Sequence, residues 1–243
     1  LKPNLLAAIP PGSAATTHPE VVRAVALFLA RRGARLTCGD SPALDDPGRA
    51  LRISGLTAVL EELGLPEADF RRSVSVPFPE GHVLRRMDLA KAVADADGVV
   101  GISKLKTHAL TGLTGAVKNL YGCVAGREKA LGHFRHPSPA SFARMVADVA
   151  ACVAPRFHVM DAVVAMEGNG PRNGRPRSLG FLLFSADPVA LDAVAAHLVR
   201  IAPDTVPTLA AGAARGLGVR SPDRIRVSMP RPEDRPASVP GGI

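Results

Sequence analysis

Lysine is rare in this sequence, and most of it is concentrated in one stretch. Thirty residues are lysine or arginine, but only six of them are lysine, and four of the six lie between residues 101 and 129. These four are Lys104, Lys106, Lys118 and Lys129. An ammonium group is compact and can lose its proton when it is desolvated, whereas a guanidinium stays charged. The clustering predicts a site that uses ammonium groups, although a solvated helix face would give the same letters.

A histidine and a pair of glycines accompany these lysines at fixed spacing. His108 follows a nearly continuous apolar segment, which is typical of a buried strand. Glycines three apart at a strand-to-helix junction let backbone N–H groups approach an anion, and a helix N-terminus adds positive potential there. We therefore predict that His108 moves a proton beside a bound phosphate, carboxylate or cofactor. The predicted binding residues are Lys104, Lys106, Gly112, Gly115, Lys118 and Asn119.

Two carboxylates in later segments are candidates to assist His108. Asp161 lies inside an apolar strand, where a charge costs free energy unless it is paired, so it either faces a site or has a local partner. Glu167 ends a strand just before a Gly-Asn-Gly-Pro turn, and both a turn role and a catalytic role stay open. Near the amino end, Lys2-Pro3-Asn4 and Thr16-Thr17-His18 could line the same sheet edge, as could Asp40 and Ser41.

The sequence patterns for a metal site or an iron–sulfur cluster are weaker than those for an anion site. The spacing of His133 and His136 could hold a metal on one helical face, with His133 the better candidate, but no carboxylates stand nearby in sequence. Cys38, Cys123 and Cys152 are far apart and form no CxxC or ferredoxin spacing, so we expect no iron–sulfur cluster on these cysteines. So few cysteines are compatible with a reducing cytoplasm, where we expect the protein to reside.

The composition limits the partners. The formal charge is +8, but the basic residues are spread along the chain, only 4% of residues are aromatic and tryptophan is absent. A nucleic-acid partner is therefore not expected, because stacking platforms are lacking. No apolar run reaches the roughly 18 residues that a membrane span requires. Because the chain starts at Leu1 rather than methionine, we expect that the amino end is truncated.

Strand and helix patterns alternate along the chain. This alternation predicts an α/β fold, a single domain over residues 1–228 with a parallel or mixed sheet and helices on both faces, followed by a Pro- and Gly-rich tail at 229–243. Strands are predicted at 34–38, 71–76, 97–103, 157–165, 179–185 and 224–227. Helices are predicted after a Thr17 cap and at 47–63, 85–94, 141–153, 187–201 and 208–215.

Segments spread over nearly the whole chain together resemble the domain-of-unknown-function 362 family. They are Lys2-Pro3-Asn4, Thr17-His18-Pro19-Glu20, Gly39-Asp40-Ser41-Pro42, Lys104-Leu-Lys-Thr-His108, residues 112–122, Glu167-Gly-Asn-Gly-Pro171 and Ser185-Ala-Asp187-Pro-Val-Ala-Leu-Asp192. Many members of that family carry a ferredoxin-like cysteine cluster, which this chain lacks. The resemblance therefore implies an alternative function, that of a noncatalytic accessory module that partners a separate ferredoxin-like iron–sulfur protein.

A second resemblance covers one segment only. The order His108-x3-Gly112-x2-Gly115-x2-Lys118, with a later His133, is similar to the central motif of the lactate racemase family. That resemblance implies that His108 is the acid/base, that Lys118 holds a nickel-pincer cofactor or an anion, and that His133 is a metal ligand. It suggests proton-transfer or isomerase chemistry on a small anionic substrate.

Overall fold

A five-stranded mixed sheet with helices on both faces organises the chain in a computed structural model that describes residues 1–42, 45–125 and 127–229. The strands are β1 (Lys2–Pro3), β2 (Ser73–Pro77), β3 (Arg86–Ala90), β4 (Val100–His108), β5 (Gly112–Thr114), β6 (Phe157–Glu167) and β7 (Arg175–Ser185). The α-helices are α1 (Pro19–Ala30), α2 (Pro47–Ile53), α3 (Leu56–Glu62), α4 (Lys91–Ala94), α5 (Ala116–Asn119), α6 (Arg127–Arg135), α7 (Pro139–Val153), α8 (Pro188–Leu198) and α9 (Pro207–Ala214). The predicted α/β class is confirmed, while residues 230–243 of the predicted tail lie outside the described residues.

The order of strands brings three carboxyl ends to one edge of the sheet. Strand β1 pairs with β4 and β4 pairs with β6, both in parallel, while β7 runs antiparallel to β6. Strand β5 turns back antiparallel against the end of β4. Strands β2 and β3 form a separate antiparallel pair. Open α/β sheets build their sites at the carboxyl edge of parallel strands, so the residues that follow β1 and end β4 are placed where a site is expected.

The core is divided between the two faces of the sheet. Ile102 of β4 and Val159 of β6 pack against a cluster built from α1, α2 and α3. Leu105 and Met160, which have the opposite parity on the same two strands, pack against the cluster that includes α5, α7, α8 and α9. Successive strand residues point to opposite faces, so buried strands such as these read as continuous apolar runs. Helices on both faces are thus confirmed.

Several local predictions differ from the structure. Residues 85–94 form β3 and the short α4 rather than one helix, because pairing with β2 decides the backbone there. The helix at 47–63 is divided at Gly55, whose φ of 78° ends one helix and starts the next. The strand at 34–38 is reduced to an isolated bridge at Cys38, and 225–229 has no regular structure.

Helix α8 shows how a sequence cap is used. Asp187 is the N-cap, and its Oδ1 accepts a hydrogen bond of 2.8 Å from the backbone N–H of Ala190. Pro188 takes the first helical position, where the missing N–H is not needed. Across the described residues, none of the helices combines the length and the apolar character that crossing a bilayer would require.

Candidate functional site

Strand β4 carries the first part of the candidate site on one face. Lys104, Lys106 and His108 occupy alternate positions, so their side chains leave the same side of the strand. Lys104 and Lys106 are each only 1% exposed. Burying an ammonium is costly unless partners replace its water, so the partners of each lysine decide what it does.

Lys104 is neutralised by a carboxylate. Its Nζ lies 2.8 Å from Oδ2 of Asp161, and both side chains are buried. Asp161 also accepts hydrogen bonds from the backbone N–H groups of His18 at 2.8 Å and Val163 at 3.2 Å. Burial lowers the pKa of Lys104, against the attraction of Asp161. Of the two interpretations of Asp161, the structure supports the local partner.

Lys106 has only neutral partners. Its Nζ donates to Oδ1 of Asn4 at 2.6 Å and to the carbonyl of Ala15 at 2.5 Å. Burial lowers the pKa of Lys106 well below its usual value, and the positive charge of Lys118 lowers it further. The Lys106 charge is therefore stabilised by dipoles and opposed by a neighbouring cation.

Lys2, at the start of β1, lies at the centre of the polar network. Its Nζ contacts Oδ1 of Asp40 at 2.7 Å, Oδ1 of Asn119 at 3.0 Å and the carbonyl of Pro3 at 2.8 Å. The same Asn119 oxygen accepts from Nδ2 of Asn4 at 3.1 Å, which connects Lys2 to Lys106 through two amides. The earlier suggestion that Lys2, Asn4 and Asp40 line one edge is confirmed.

Asp40 is fixed in place by further contacts. Its two carboxylate oxygens accept from the backbone N–H groups of Leu5 at 2.7 Å and Ser41 at 2.8 Å. A side chain at Gly122 would begin 2.1 Å from Oδ1 of Asp40 and 2.6 Å from Nζ of Lys2. Glycine is therefore required at position 122 so that the 3-10 helix Leu120–Cys123 can approach this ion pair.

Lys118 and Lys129 approach the same network from α5 and α6. Lys118 is half-buried, and its Nζ has no hydrogen-bond partner among residues 1–42, 45–125 and 127–229; it lies 5.7 Å from the ring centroids of both Tyr121 and Phe142. Burial and the charges of Lys129 and Lys2 lower the pKa of Lys118 to about 7. Nζ of Lys129 donates to the carbonyl of Ser41, and burial lowers its pKa to about 8. We call Lys2, Lys106, Lys118 and Lys129 the lysine cluster.

His108 faces the lysine cluster as a neutral imidazole. Its Nδ1 accepts from the backbone N–H groups of Leu110 at 3.1 Å and Thr111 at 3.3 Å, which assigns the proton to Nε2. Burial lowers the pKa of His108 to about 3, with further contributions from Lys118 and Lys106. His108 is thus an N–H donor near neutral pH.

The paired glycines serve packing, because a carboxylate of the protein occupies the turn. Asp192 of α8 accepts from the backbone N–H groups of Ala116 at 2.6 Å and Val117 at 3.1 Å. A side chain at Gly115 would begin 2.1 Å from Oδ1 of Asp192, and one at Gly112 would begin 2.9 Å from the carbonyl of Thr205. An external anion at these N–H groups would have to displace Asp192, whose pKa burial raises to about 7.

Glu167 is engaged outside the lysine cluster. At the end of β6, its carboxylate lies 2.7 Å from Nη1 of Arg177 and 3.6 Å from Nη2 of Arg175. The hydrogen bond from Arg177 is the main cause of the lowered pKa of Glu167. Glu167 and Lys106 both line a cavity of about 670 Å³. Within the part of the chain that the structure describes, Glu167 forms no hydrogen bond with His108 or the lysine cluster.

His133 of α6 packs among aromatic rings next to Lys118. Its ring stacks on Phe142 with centroids 4.4 Å apart and meets the edge of Tyr121 at 5.5 Å. Burial and the charge of Lys118 lower the pKa of His133 to about 4. Among the described residues, no group of three or more histidine, cysteine, aspartate or glutamate side chains is placed to hold a metal. The metal-ligand role of His133 stays a prediction, and those residues supply it with no matching ligand set.

With this geometry established, the comparisons with known proteins give the family. Residues 1–197 match the family described as "Domain of unknown function (DUF362)". This chain belongs to that family. It is also 38% identical over 218 residues to a thylakoid-associated protein of Synechocystis sp., a match that covers 89% of this chain and 67% of that protein. The matched residues include the whole lysine cluster and His108, whereas the narrower resemblance to the lactate racemase motif stays a prediction.

Proposed function

We propose that the protein is an enzyme that binds a small phosphate- or carboxylate-bearing molecule at the lysine cluster and moves a proton on it. One observation carries the proposal: a single carboxylate, Asp40, contacts Lys2 and raises the pKa of three further lysines, Lys106, Lys118 and Lys129, although the chain has only six lysines. A fold alone does not require this arrangement, because arginine serves the surface elsewhere.

Two of the four lysines are more accessible to a ligand than the other two. Lys2 and Lys106 are fully buried and hydrogen-bonded, whereas Lys118 and Lys129 are half-buried. Charges in a partly desolvated site attract an anion more strongly than the same charges in water. We infer that Lys118 and Lys129 contact the ligand, and that Lys2 and Lys106 hold the positive potential behind them.

Proton transfer is assigned by matching pKa values to neutral pH. An acid/base works best when its pKa lies near the working pH, which Lys118 meets with a pKa of about 7. His108 keeps Nδ1 occupied by backbone N–H groups, so Nε2–H is available as a hydrogen-bond donor. We propose that Lys118 exchanges the proton and that His108 stabilises the oxygen on which negative charge develops, as neutral imidazoles do elsewhere.

Ligand binding is tested with a thermal-shift screen of phosphates, sugar phosphates and hydroxy acids. The intact protein is compared with Lys118→Met and with a control, Lys91→Met. Lys91 lies outside the lysine cluster and forms an ion pair with Asp95 at 2.6 Å. A ligand at about 100 times its dissociation constant should stabilise folding by roughly 2.7 kcal/mol. We expect the shift in the intact protein and in Lys91→Met, and its loss in Lys118→Met.

The chemistry is tested separately on each compound that binds. The compound is incubated with the protein in D2O, and the loss of its C–H signals is followed by NMR. We expect exchange in the intact protein, and little in Lys118→Met or His108→Ala. A shift that survives Lys118→Met would overturn the site. The absence of any shift would favour the accessory module, for which co-purification with a ferredoxin-like protein is the readout.

A further inference from the structure

When its lysines are protonated, as a bound anion would favour, the lysine cluster contains more positive charge than its acidic groups neutralise. Lys104 is excluded from this balance because Asp161 pairs with it. The four remaining ammonium groups share one carboxylate, Asp40, which contacts Lys2 at 2.7 Å. Three charged groups act on the pKa of Lys118: Lys2 of β1, Lys129 of α6, and Asp40, which follows the bridge at Cys38. Lys118 in turn lowers the pKa values of Lys106 and His108 of β4 and of His133 of α6.

The unused hydrogen-bond donors are on the accessible side. An ammonium group has three donors. Lys2 uses all three, on Asp40, Asn119 and Pro3, whereas Lys106 uses two. Within the described residues Lys129 uses one, on Ser41, and Lys118 uses none. Unused donors thus increase from the buried to the half-buried lysines, which is the direction from which a ligand would arrive.

Among the described residues, no acidic group forms a hydrogen bond or an ion pair with Lys118. The rings of Tyr121 and Phe142 lie 5.7 Å from its Nζ. Aromatic faces attract a cation weakly and provide no lone pair that could replace a phosphate oxygen. The three terminal oxygens of a phosphate monoester could accept the unused donors of separate lysines, and such a group carries close to two charges near neutral pH.

We propose that the ligand of this site is a dianionic oxyanion, of the phosphate monoester class, rather than a monoanion. This inference rests on the proposed function, because it specifies the ligand of the same site. Two negative charges balance the excess of the lysine cluster more closely than one, and they reach both Lys118 and Lys129.

The test uses two ligands that differ by one charge. Methyl phosphate is mostly a dianion above its second pKa of about 6, whereas dimethyl phosphate is a monoanion of similar shape. Calorimetry at low salt and near pH 7.5 should give at least about tenfold tighter binding of methyl phosphate, because charge pairs in a partly desolvated site attract more than in water. Lys129→Met should weaken methyl phosphate by about tenfold and leave dimethyl phosphate within about twofold.

Three results of this calorimetry would contradict the dianion inference. Equal affinity for the two ligands, with both lost in Lys118→Met, would overturn the dianion inference and leave the proposed anion site standing. Binding of neither ligand, or binding that Lys118→Met leaves unchanged, would overturn both. If Lys129→Met weakens the two ligands equally, Lys129 supports the fold of α6 instead of binding the second charge, and the inference is also overturned. Lys91→Met measures the effect of removing a lysine outside the lysine cluster.

Discussion

Lys104 and Lys106 are two residues apart on β4, on the same face and equally buried, but they have different partners. Lys104 forms an ion pair with the carboxylate of Asp161, and this carboxylate also accepts hydrogen bonds from two backbone N–H groups. Lys106 donates to an amide oxygen and a backbone carbonyl. The charged group with the largest effect on its pKa is another cation, Lys118. The comparison teaches that burial of a lysine alone does not indicate function. A buried lysine without a carboxylate partner can keep its charge at lower cost when an anion binds beside it.

The largest effect on stability is expected from breaking the Lys104–Asp161 ion pair. Lys104→Met leaves Asp161 buried without its cation and should lower the free energy of unfolding by about 3–5 kcal/mol. Urea unfolding followed by circular dichroism measures it. The double variant Lys104→Met/Asp161→Asn should recover part of the loss, since the unpaired charge is then removed.

Lys106→Met is the matched control for that experiment. It leaves two neutral acceptors without a donor, which costs about 1–3 kcal/mol, and it relieves repulsion with Lys118. We expect a smaller loss of stability than in Lys104→Met, together with weaker anion binding. If Lys106→Met destabilises the protein as much as Lys104→Met, the distinction between a structural and a ligand-binding lysine fails.

The next effect concerns Lys118, which lacks a partner in the described part of the chain. Lys118→Met should weaken binding of any anion found in the screen by more than about tenfold, which is about 1.4 kcal/mol, while stability stays equal or rises. The reason is that the substitution removes a desolvated charge that repels Lys129 and Lys2. Calorimetry and urea unfolding on the same preparation separate the two quantities. A large loss of stability would show that Lys118 supports the fold.

A smaller effect is expected in the pH dependence of stability. The pKa of Lys118 is about 7 in the folded protein and near 10.5 in an unfolded chain, so between these values the unfolded chain binds more protons. The free energy of unfolding must then increase with pH, by up to about 1.4 kcal/mol per unit for one such group. Asp192, whose pKa burial raises to about 7, acts in the opposite direction near pH 7, and Cys38 and Cys123, whose pKa values burial also raises, do so at higher pH. The contribution of Lys118 is therefore obtained as a difference between two proteins over about pH 7 to 8.

The comparison that checks this dependence is the slope in Lys118→Met. Urea unfolding at about pH 7 and about pH 8 should give a smaller increase in that variant than in the intact protein. Lys129, with a pKa of about 8, has the same sign and should keep part of the slope. Equal slopes in the two proteins would mean that Lys118 is solvated and carries its ordinary pKa.

The smallest effect is at Lys91. It lies outside the lysine cluster and forms an i,i+4 ion pair at 2.6 Å with Asp95, the C-cap residue of α4. Lys91→Met should change the free energy of unfolding by no more than about 0.5 kcal/mol and leave anion binding unchanged. A measurable change in binding would indicate that net charge, rather than the lysine cluster, attracts the anion, and a salt titration would then confirm it.

The residue types of the site were visible in the sequence, but the division of roles among them was not. The concentration of lysine around residues 101–129 and the spacing from His108 to Lys118 indicated the region that contributes three of the four lysines of the cluster. The same pattern suggested that Gly115 exposes N–H groups to an anion, whereas Asp192 occupies them from 76 residues away along the chain. The sequence alone does not place that carboxylate at the site or in solvent, since helical periodicity does not show which distant segment packs on a turn.

Sequence alone determined the α/β class, the family, the use of lysine in place of arginine and the presence of a buried strand, predicted at 97–103, which the structure extends to His108 as β4. These features follow from local hydrophobic periodicity and from residue type, which are properties of the chain itself. Tertiary structure decided that Asp161 neutralises Lys104 and not Lys106, that Lys2 and Asp40 join the cluster, and that Lys118 meets cations and aromatic rings. Those outcomes depend on contacts between residues far apart in sequence and on burial, and it is burial that gives a lysine its partners and its pKa.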